Sequence, residues 1–191
     1  MRPYKVIGLV GVVLFAAGIL RAQTTNFFLP LPPPTALERA EIITNEIIIK
    51  GTSQAGAMVV SDTTVSLVCE EVDVPGANEK HLGLRVEFSV EGQTEDRVVV
   101  DYDELNGLLG AIDYLAKVDW TATPLASFDA SFTTKGGLRV AAFSSKRAEA
   151  IVYSVRSSRM NKGVALGLGQ LTQLRQLLGQ AKRSLDELQS K

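Results

Sequence analysis

The sequence predicts an α+β protein made of two tandem repeats, each with four antiparallel strands followed by an amphipathic helix (ββββα). Apolar and polar residues alternate in 82–90, which is typical of a half-buried strand. Apolar residues recur at helical spacing in 105–115 and again in 168–185. The order of predicted elements in 46–115 returns in 128–185. We therefore expect two antiparallel sheets, each packed against its own C-terminal amphipathic helix.

The first repeat, residues 35–120, begins with four predicted strands. A Gly- and Ser-containing stretch connects the first two strands, and the segment 75–78 has the chemistry of a turn. After the fourth strand, Asp101 is placed to cap a helix, and Glu104 completes a capping-box-like pattern. The four strands are predicted at 46–50, 64–72, 82–90 and 97–100.

The second repeat, residues 121–191, follows the same order, with a turn at 135–137. Residues 98–105 match residues 164–171 at a constant offset, which favours an internal duplication. Each repeat alone is too small to bury both a sheet face and a helix well, so we expect the two to form one compact pseudo-symmetric unit. The strands of this repeat are predicted at 128–132, 138–143, 150–155 and 163–166.

Residues 1–22 have the layout of a signal peptide. Two basic residues precede an uncharged, largely apolar run at 6–20, which is shorter than the roughly 20 residues of a membrane span. Cleavage is expected after Ala22, and an uncleaved anchor is the alternative. A Pro-rich extended spacer follows at 23–34. In both cases the body is exported, to the periplasm or the medium, and no stable membrane span is expected once the leader is cleaved.

Charge is distributed unevenly between the two repeats. Residues 35–120 hold 17 acidic and 6 basic residues, a net charge of −11, whereas residues 121–191 hold 4 acidic and 11 basic residues, a net charge of +7. Either the halves attract each other, within one chain or between chains, or the basic half binds an anion. The candidate anion-binding residues are Lys135, Arg139, Lys146, Arg147, Arg156, Arg159 and Lys162.

Four antiparallel strands followed by a helix, twice, resembles the layout of the Whirly proteins and of a dimer of the PC4-type transcriptional coactivators. The segment 132–185, with Lys135-Gly-Gly-Leu-Arg139 at its first hairpin, is the most similar part. The resemblance implies a sheet face that binds single-stranded nucleic acid through basic residues and aromatic platforms such as Phe143 or Tyr153. The first repeat departs from this pattern, because Glu87 and Glu91 would repel phosphate. The chain also resembles small exported bacterial proteins of unassigned function.

Residues with catalytic chemistry are few. The single cysteine, Cys69, is expected to be a small buried hydrophobe without a disulfide, and the single histidine, His81, to be solvated. A zinc site shared by these two would need carboxylates to complete it. The acidic residues 101, 103 and 104 suit the start of a helix. No phosphate-binding loop, dinucleotide fingerprint or hydrolase nucleophile motif is present, so we expect no enzyme activity, no cofactor and no metal.

Three functional hypotheses follow from the sequence. The first is an exported, non-catalytic binding or structural module that self-associates. The second is a protein that binds an anionic polymer, single-stranded nucleic acid or an acidic glycan, through the basic second repeat; its binding would depend strongly on salt. The third is a hydrolase that uses carboxylates, which requires a cleft with paired acidic groups.

Overall fold

The computed structural model describes residues 34–145, 150–160 and 163–190. The predicted signal peptide and all of the spacer before Pro34 lie outside the described residues, as do the candidate residues Lys146, Arg147 and Lys162. Over the described ranges, none of the helices combines the length and the apolar character needed to cross a membrane.

The fold is α+β, with two antiparallel four-stranded sheets. In the first sheet the strands lie in chain order β1-β2-β3-β4, joined by tight hairpins. The turn residues Ser61, Asn78 and Glu91 have positive φ values, as tight hairpin turns require. The strands are β1 (Ile49–Val60), β2 (Thr63–Val74), β3 (Glu79–Val90) and β4 (Gln93–Asp101).

The strand β1 is much longer than the sequence pattern predicts. The Gly- and Ser-containing stretch that was expected to be a connection pairs with β2 through most of its length, with a register shift between Gln54 and Gly56. This strand lies at the edge of the sheet, and residues 49–54 are exposed. An exposed edge strand does not require apolar alternation, so small and polar residues are accepted there.

The second sheet repeats the chain-order arrangement with shorter strands, in the order β5-β6-β7-β8. Its first hairpin turns at the predicted Lys135-Gly-Gly137 segment, where Gly137 has φ 92. The strands are β5 (Asp129–Thr133), β6 (Leu138–Ser145), β7 (Ala150–Ser157) and β8 (Val164–Leu166). Four strands in the predicted order therefore occur in both halves of the chain.

In the described part of the chain, three α-helices accompany the sheets: α1 (Ala36–Glu41), α2 (Leu105–Leu115), preceded by a 3-10 turn at Tyr102–Glu104, and α3 (Leu168–Gln189). The inner faces of both sheets, α2 and α3 share one apolar core. The helix α3 packs mainly on β1 and β2 of the first sheet and also reaches β7 and β8, whereas α2 packs on α3, β5 and β6. The helices thus cross between the sheets, instead of each lying on its own sheet alone.

The crossed packing follows from the shape of the α3 surface. Its buried stripe of Leu171, Leu174, Leu178, Ala181 and Leu185 is long enough to cover both sheets. On the first sheet, the thiol of Cys69 donates to the carbonyl oxygen of Ala181 at 3.5 Å. A hydrogen bond adds to these apolar contacts: the hydroxyl of Tyr102 donates to the carboxylate of Asp186 on α3 at 2.6 Å.

The helix α1 forms a second, smaller core on the outer face of the first sheet, where Leu37 and Ala40 pack against residues of β2 and β4. Thr35 begins this helix with a capping box, in which its side chain accepts from the N–H of Glu38 and its own N–H donates to the Glu38 carboxylate. Asp101, expected to cap the helix that follows it, makes no side-chain capping bond there. Its carboxylate instead accepts from the N–H groups of Ala36 and Leu37 at the start of α1.

Candidate functional site

The outer face of the second sheet carries two of the predicted basic residues side by side. We call this surface the second-sheet face and define it by Asp129, Arg139, Phe143, Ser154 and Arg156. Alternation along β6 and β7 turns these side chains away from the shared core. They line a shallow cavity of about 250 Å³ together with Ala141, Gly163 and Ala165.

Arg139 and Arg156 are direct cross-strand partners on this face. The guanidinium of Arg139 donates to both carboxylate oxygens of Asp129, at 3.1 and 3.2 Å. Arg156 makes no ion pair within the described residues. Phe143 lies two positions beyond Ala141 on the same side of β6 and is half-buried. The face therefore combines one paired guanidinium, an aromatic ring and one guanidinium that has no acidic partner among the described residues.

The other described candidates lie elsewhere. The ammonium of Lys135 contacts Asp103 at 2.9 Å and Asp101 at 3.9 Å, and the hydrogen bond to Asp103 raises the pKa of Lys135. Its backbone N–H donates to Glu104 at 2.8 Å, so this turn is held against the start of α2. Arg159 lies in a different pocket, described below. The structure therefore brings together Arg139 and Arg156 and separates Lys135 and Arg159 from them.

The acidic group at the end of β4 is largely engaged, although Oε2 of Glu104 is buried and has no hydrogen-bond partner among the described residues. Carboxylate oxygens of Asp101, Asp103 and Glu104 lie within 4.8 Å of one another. Asp101 accepts two backbone N–H groups, Asp103 pairs with Lys135, and Glu104 accepts from the Lys135 backbone. The adjoining cavity of about 580 Å³ also has cationic side chains on its walls, including Arg39. These acids therefore have structural roles: Asp101 caps α1, and Asp103 and Glu104 hold the β5–β6 turn.

Cys69 and His81 lie on neighbouring strands but on opposite faces of the sheet. Cys69 is 3% exposed and belongs to the shared core, where burial raises the pKa of its thiol. It is opposite Leu84 in register, whereas His81 is opposite Val72. The imidazole of His81 lies on the outer face, 3.2 Å from the Glu79 carboxylate. The two residues therefore do not share a metal site.

A second cavity lies on the outer face of the first sheet, next to α1, and sequence reasoning missed it. We call it the Glu70 pocket. It has a volume of about 250 Å³ and is lined by Glu38, Glu41, Ile42, Lys50, Glu70, Arg85, Arg97, Val99 and Arg159. At its base the Glu70 side chain is only 1% exposed. Sequence periodicity separates Glu70 from Glu71 onto opposite faces, but it cannot say which cations the strand pairing brings to Glu70.

Ion pairs surround the Glu70 carboxylate. Its Oε1 lies 2.8 Å from Nη1 of Arg85 and 3.1 Å from Nζ of Lys50, and both cations come from diagonal positions on neighbouring strands. Burial disfavours the Lys50 ammonium, but its contacts with Glu41 and Glu70 outweigh this effect, so the pKa of Lys50 is raised. Within the described ranges, neither Glu70 oxygen accepts a hydrogen bond of good geometry.

Comparison with the models of known protein families finds no match to this chain, and comparison with curated proteins also finds none. Two surfaces of the chain bring charged side chains together, the second-sheet face and the Glu70 pocket.

Proposed function

We propose that this chain is an exported, non-catalytic binding module and that its second-sheet face binds an extended anionic polymer. The observation that carries this proposal is the direct pairing of Arg139 with Arg156 across β6 and β7. The leader-like residues 1–22 motivate the export. Asp101 and Asp103 beside β4 are held by a helix N-terminus and by Lys135, which favours binding over catalysis.

Two like charges directly opposite each other destabilise an antiparallel strand pair. Asp129 relieves this repulsion for Arg139, and Arg156 has no acid in ion-pair contact among the residues that the structure describes. An anionic group bound between the two guanidiniums would supply the missing negative charge. Arginine suits this role because its planar donors match phosphate and carboxylate oxygens.

The aromatic ring of Phe143 extends the same surface along β6. Arg139 and Phe143 are four residues apart on one strand, which corresponds to about 13 Å at the usual rise per residue. A linear polymer with repeated charges and flat rings could contact both. Stacking on an aromatic side chain contributes about 1–3 kcal/mol per base in single-strand binding proteins.

The repeat interpretation supports assigning binding to one sheet only. We infer that residues 35–120 and 121–191 are duplicated ββββα units, and the same succession of four strands and a helix supports this inference. The units differ on their outer faces. The first sheet is partly covered by α1 and has Glu70 and Glu87 there, whereas the second has Arg139 and Arg156. Because α1 and these acids would hinder a polyanion on the first face, we assign polyanion binding to the second face.

The test is binding of fluorescently labelled oligothymidine and of a labelled polyuronate, followed by anisotropy at low and moderate salt. We expect at least one polymer to bind, with affinity that falls as salt rises because counterions are released. The double variant R139A/R156A should bind more weakly and lower the salt slope by about 1.5, given a contribution of roughly 0.7–0.9 per contact.

The matched control is R183A, which removes an exposed cation from the far side of α3. Its binding should equal that of the unmodified protein. Absence of binding to both polymers at low salt would overturn the proposal. The same conclusion would follow if R139A/R156A bound as tightly as R183A.

A further inference from the structure

The Glu70 pocket contains a buried charge whose partners are incomplete. Moving a carboxylate out of water is unfavourable unless ion pairs and hydrogen bonds replace its hydration. Lys50 and Arg85 provide ion pairs to Glu70, at 3.1 and 2.8 Å. No donor in the described part of the chain gives either carboxylate oxygen a well-directed hydrogen bond. Both oxygens are themselves buried, so the negative charge of Glu70 acts on the cavity from beneath its surface.

Two further guanidiniums, those of Arg97 and Arg159, line the same cavity. Glu87 lies opposite Arg97 in register, but its carboxylate pairs with Nε of Arg85 at 2.9 Å. Arg159 lies in the turn that follows β7, next to Met160 and the β3–β4 hairpin. Among the described residues, neither Arg97 nor Arg159 forms an ion pair. The cavity therefore has two exposed cations that are available to an anionic group.

The opposite wall of the cavity is acidic. Glu38 and Glu41 come from α1, and Glu70 lies at the base of the pocket. One oxygen of Glu38 accepts from the N–H and hydroxyl of Thr35, which leaves the other without a capping role. Glu41 pairs with Lys50. The pocket thus has a negative side toward α1 and a positive side toward Arg97 and Arg159.

We propose that the Glu70 pocket binds a small zwitterion of the free α-amino acid class. The ligand's carboxylate would pair with Arg97 and Arg159, and its ammonium group would face the acids of α1, above the buried charge of Glu70. A volume of about 250 Å³ holds roughly eight water molecules at about 30 Å³ each, which matches a compact amino acid. This site is separate from the second-sheet face, so the two proposals stand independently.

The experiment is isothermal titration calorimetry of the protein with four named amino acids: alanine, glutamate, lysine and arginine. Propionate and alanine methyl ester serve as probes that each keep only one of the two charges. We expect at least one amino acid to bind, and both single-charge probes to bind at least about 10-fold more weakly than alanine or fail to bind, because each leaves one side of the pocket unpaired.

Variants of the two arginines test the assignment without disturbing the core, since both side chains are exposed. R97A and R159A should each lower the affinity about 10-fold or more, as expected for loss of a charge-assisted contact. R183A, which removes an exposed cation from α3, is the matched control and should bind normally. E70Q should also lose affinity, and its thermal unfolding shows separately whether it folds.

Three results would overturn the proposal. The first is the absence of binding heat for all four amino acids at millimolar concentration. The second is propionate binding as tightly as alanine, which would make the pocket a simple anion site. The third is an unchanged affinity in both R97A and R159A. Polymer binding on the second-sheet face is measured with other probes, so its outcome does not affect this test.

Discussion

The carboxylate of Asp101, the last residue of β4, accepts a hydrogen bond of 2.9 Å from the backbone N–H of Ala36, the first residue of α1. Asp101 is only 5% exposed, and its other oxygen accepts from the N–H of Leu37 at 3.3 Å. A negative group at a helix N-terminus is favoured by both the free N–H groups and the helix dipole. This contact holds α1 on the first sheet, beside the Glu70 pocket.

Replacing Asp101 should therefore loosen α1 specifically. We expect D101A to lower the free energy of unfolding by about 1–2 kcal/mol, the usual cost of losing a capping side chain. D101N keeps an acceptor oxygen and should lose less. Hydrogen exchange at the amides of Ala36 and Leu37 measures the local effect, and it should speed up in D101A.

The neighbouring variant D103N is the control for this prediction, because Asp103 is exposed and makes no capping bond to α1. It should leave exchange in α1 unchanged. Equal protection of Ala36 and Leu37 in D101A and in the unmodified protein would contradict the capping role.

The turn between β5 and β6 packs tightly against the first sheet at Gly136. A Cβ added there would lie 1.9 Å from the carbonyl oxygen of Val99 and 3.1 Å from Cγ2 of Thr35. The carbonyl belongs to backbone, so it cannot move aside cheaply. We expect G136A to destabilise the protein by about 3 kcal/mol, at the upper end of overpacking effects. Urea denaturation measures this loss.

Gly110 offers the opposite case within α2. An added Cβ there meets no atom within 4 Å, and alanine is the better helix former. G110A should therefore stabilise the protein by about 0.5–1 kcal/mol. Similar free energies of unfolding for G136A and G110A would contradict the close approach of the hairpin turn to Val99.

The ion pair between Asp113 and Arg175 joins α2 to α3 and predicts a pH dependence. Arg175 donates to both Asp113 oxygens at 2.9 Å, and these bonds lower the pKa of Asp113. A carboxyl whose pKa is lower in the folded state stabilises the fold above its unfolded pKa. That contribution is lost as pH falls through the folded value.

We therefore expect D113N to be less stable than the unmodified protein at neutral pH, with the gap closing below about pH 4. The gap should be only about 0.5 kcal/mol, because more than a third of each side chain is exposed and solvent screens the pair. Urea denaturation at both pH values measures it. In an R175Q background the effect of D113N should disappear; a full effect there would show that another partner is responsible.

Burial of Cys69 predicts a protected thiol. Its side chain contacts α3 through the Ala181 carbonyl, and burial raises its pKa, so both access and thiolate formation are reduced. A thiol reagent at mildly alkaline pH should react with the native protein on the order of 100-fold more slowly than with the unfolded chain, since reaction requires opening of the core. Rapid reaction of the folded protein would contradict this packing.

Patterns that depend on one element alone were visible in the sequence. The alternation in 82–90 corresponds to β3, and the leucine spacing from residue 168 corresponds to α3. The buried state of Cys69 was also predictable, because it lies in an apolar strand. The sequence places no histidine near it that would suggest a reactive thiol. In each case the spacing of apolar residues along one segment indicates which side chains face the core.

Features that depend on contacts between distant segments could not be predicted from the spacing of residues within one segment. The edge strand β1 is stabilised by β2 despite its glycines and serines, and α1 is a six-residue helix that needs Asp101 and the outer face of the sheet. Isolated helices of that length are not stable, so tertiary contact decides whether they form.

The sequence by itself determined the α+β class, the order of four strands and a helix in each half, and the charge difference between the halves, because these follow from local periodicity and composition. Only the tertiary structure decided that α3 crosses to the first sheet, that Arg139 faces Arg156, and that Glu70 lies beside Lys50 and Arg85. Those relationships depend on strand register and helix packing, which bring distant residues within a few ångströms and which no single segment specifies.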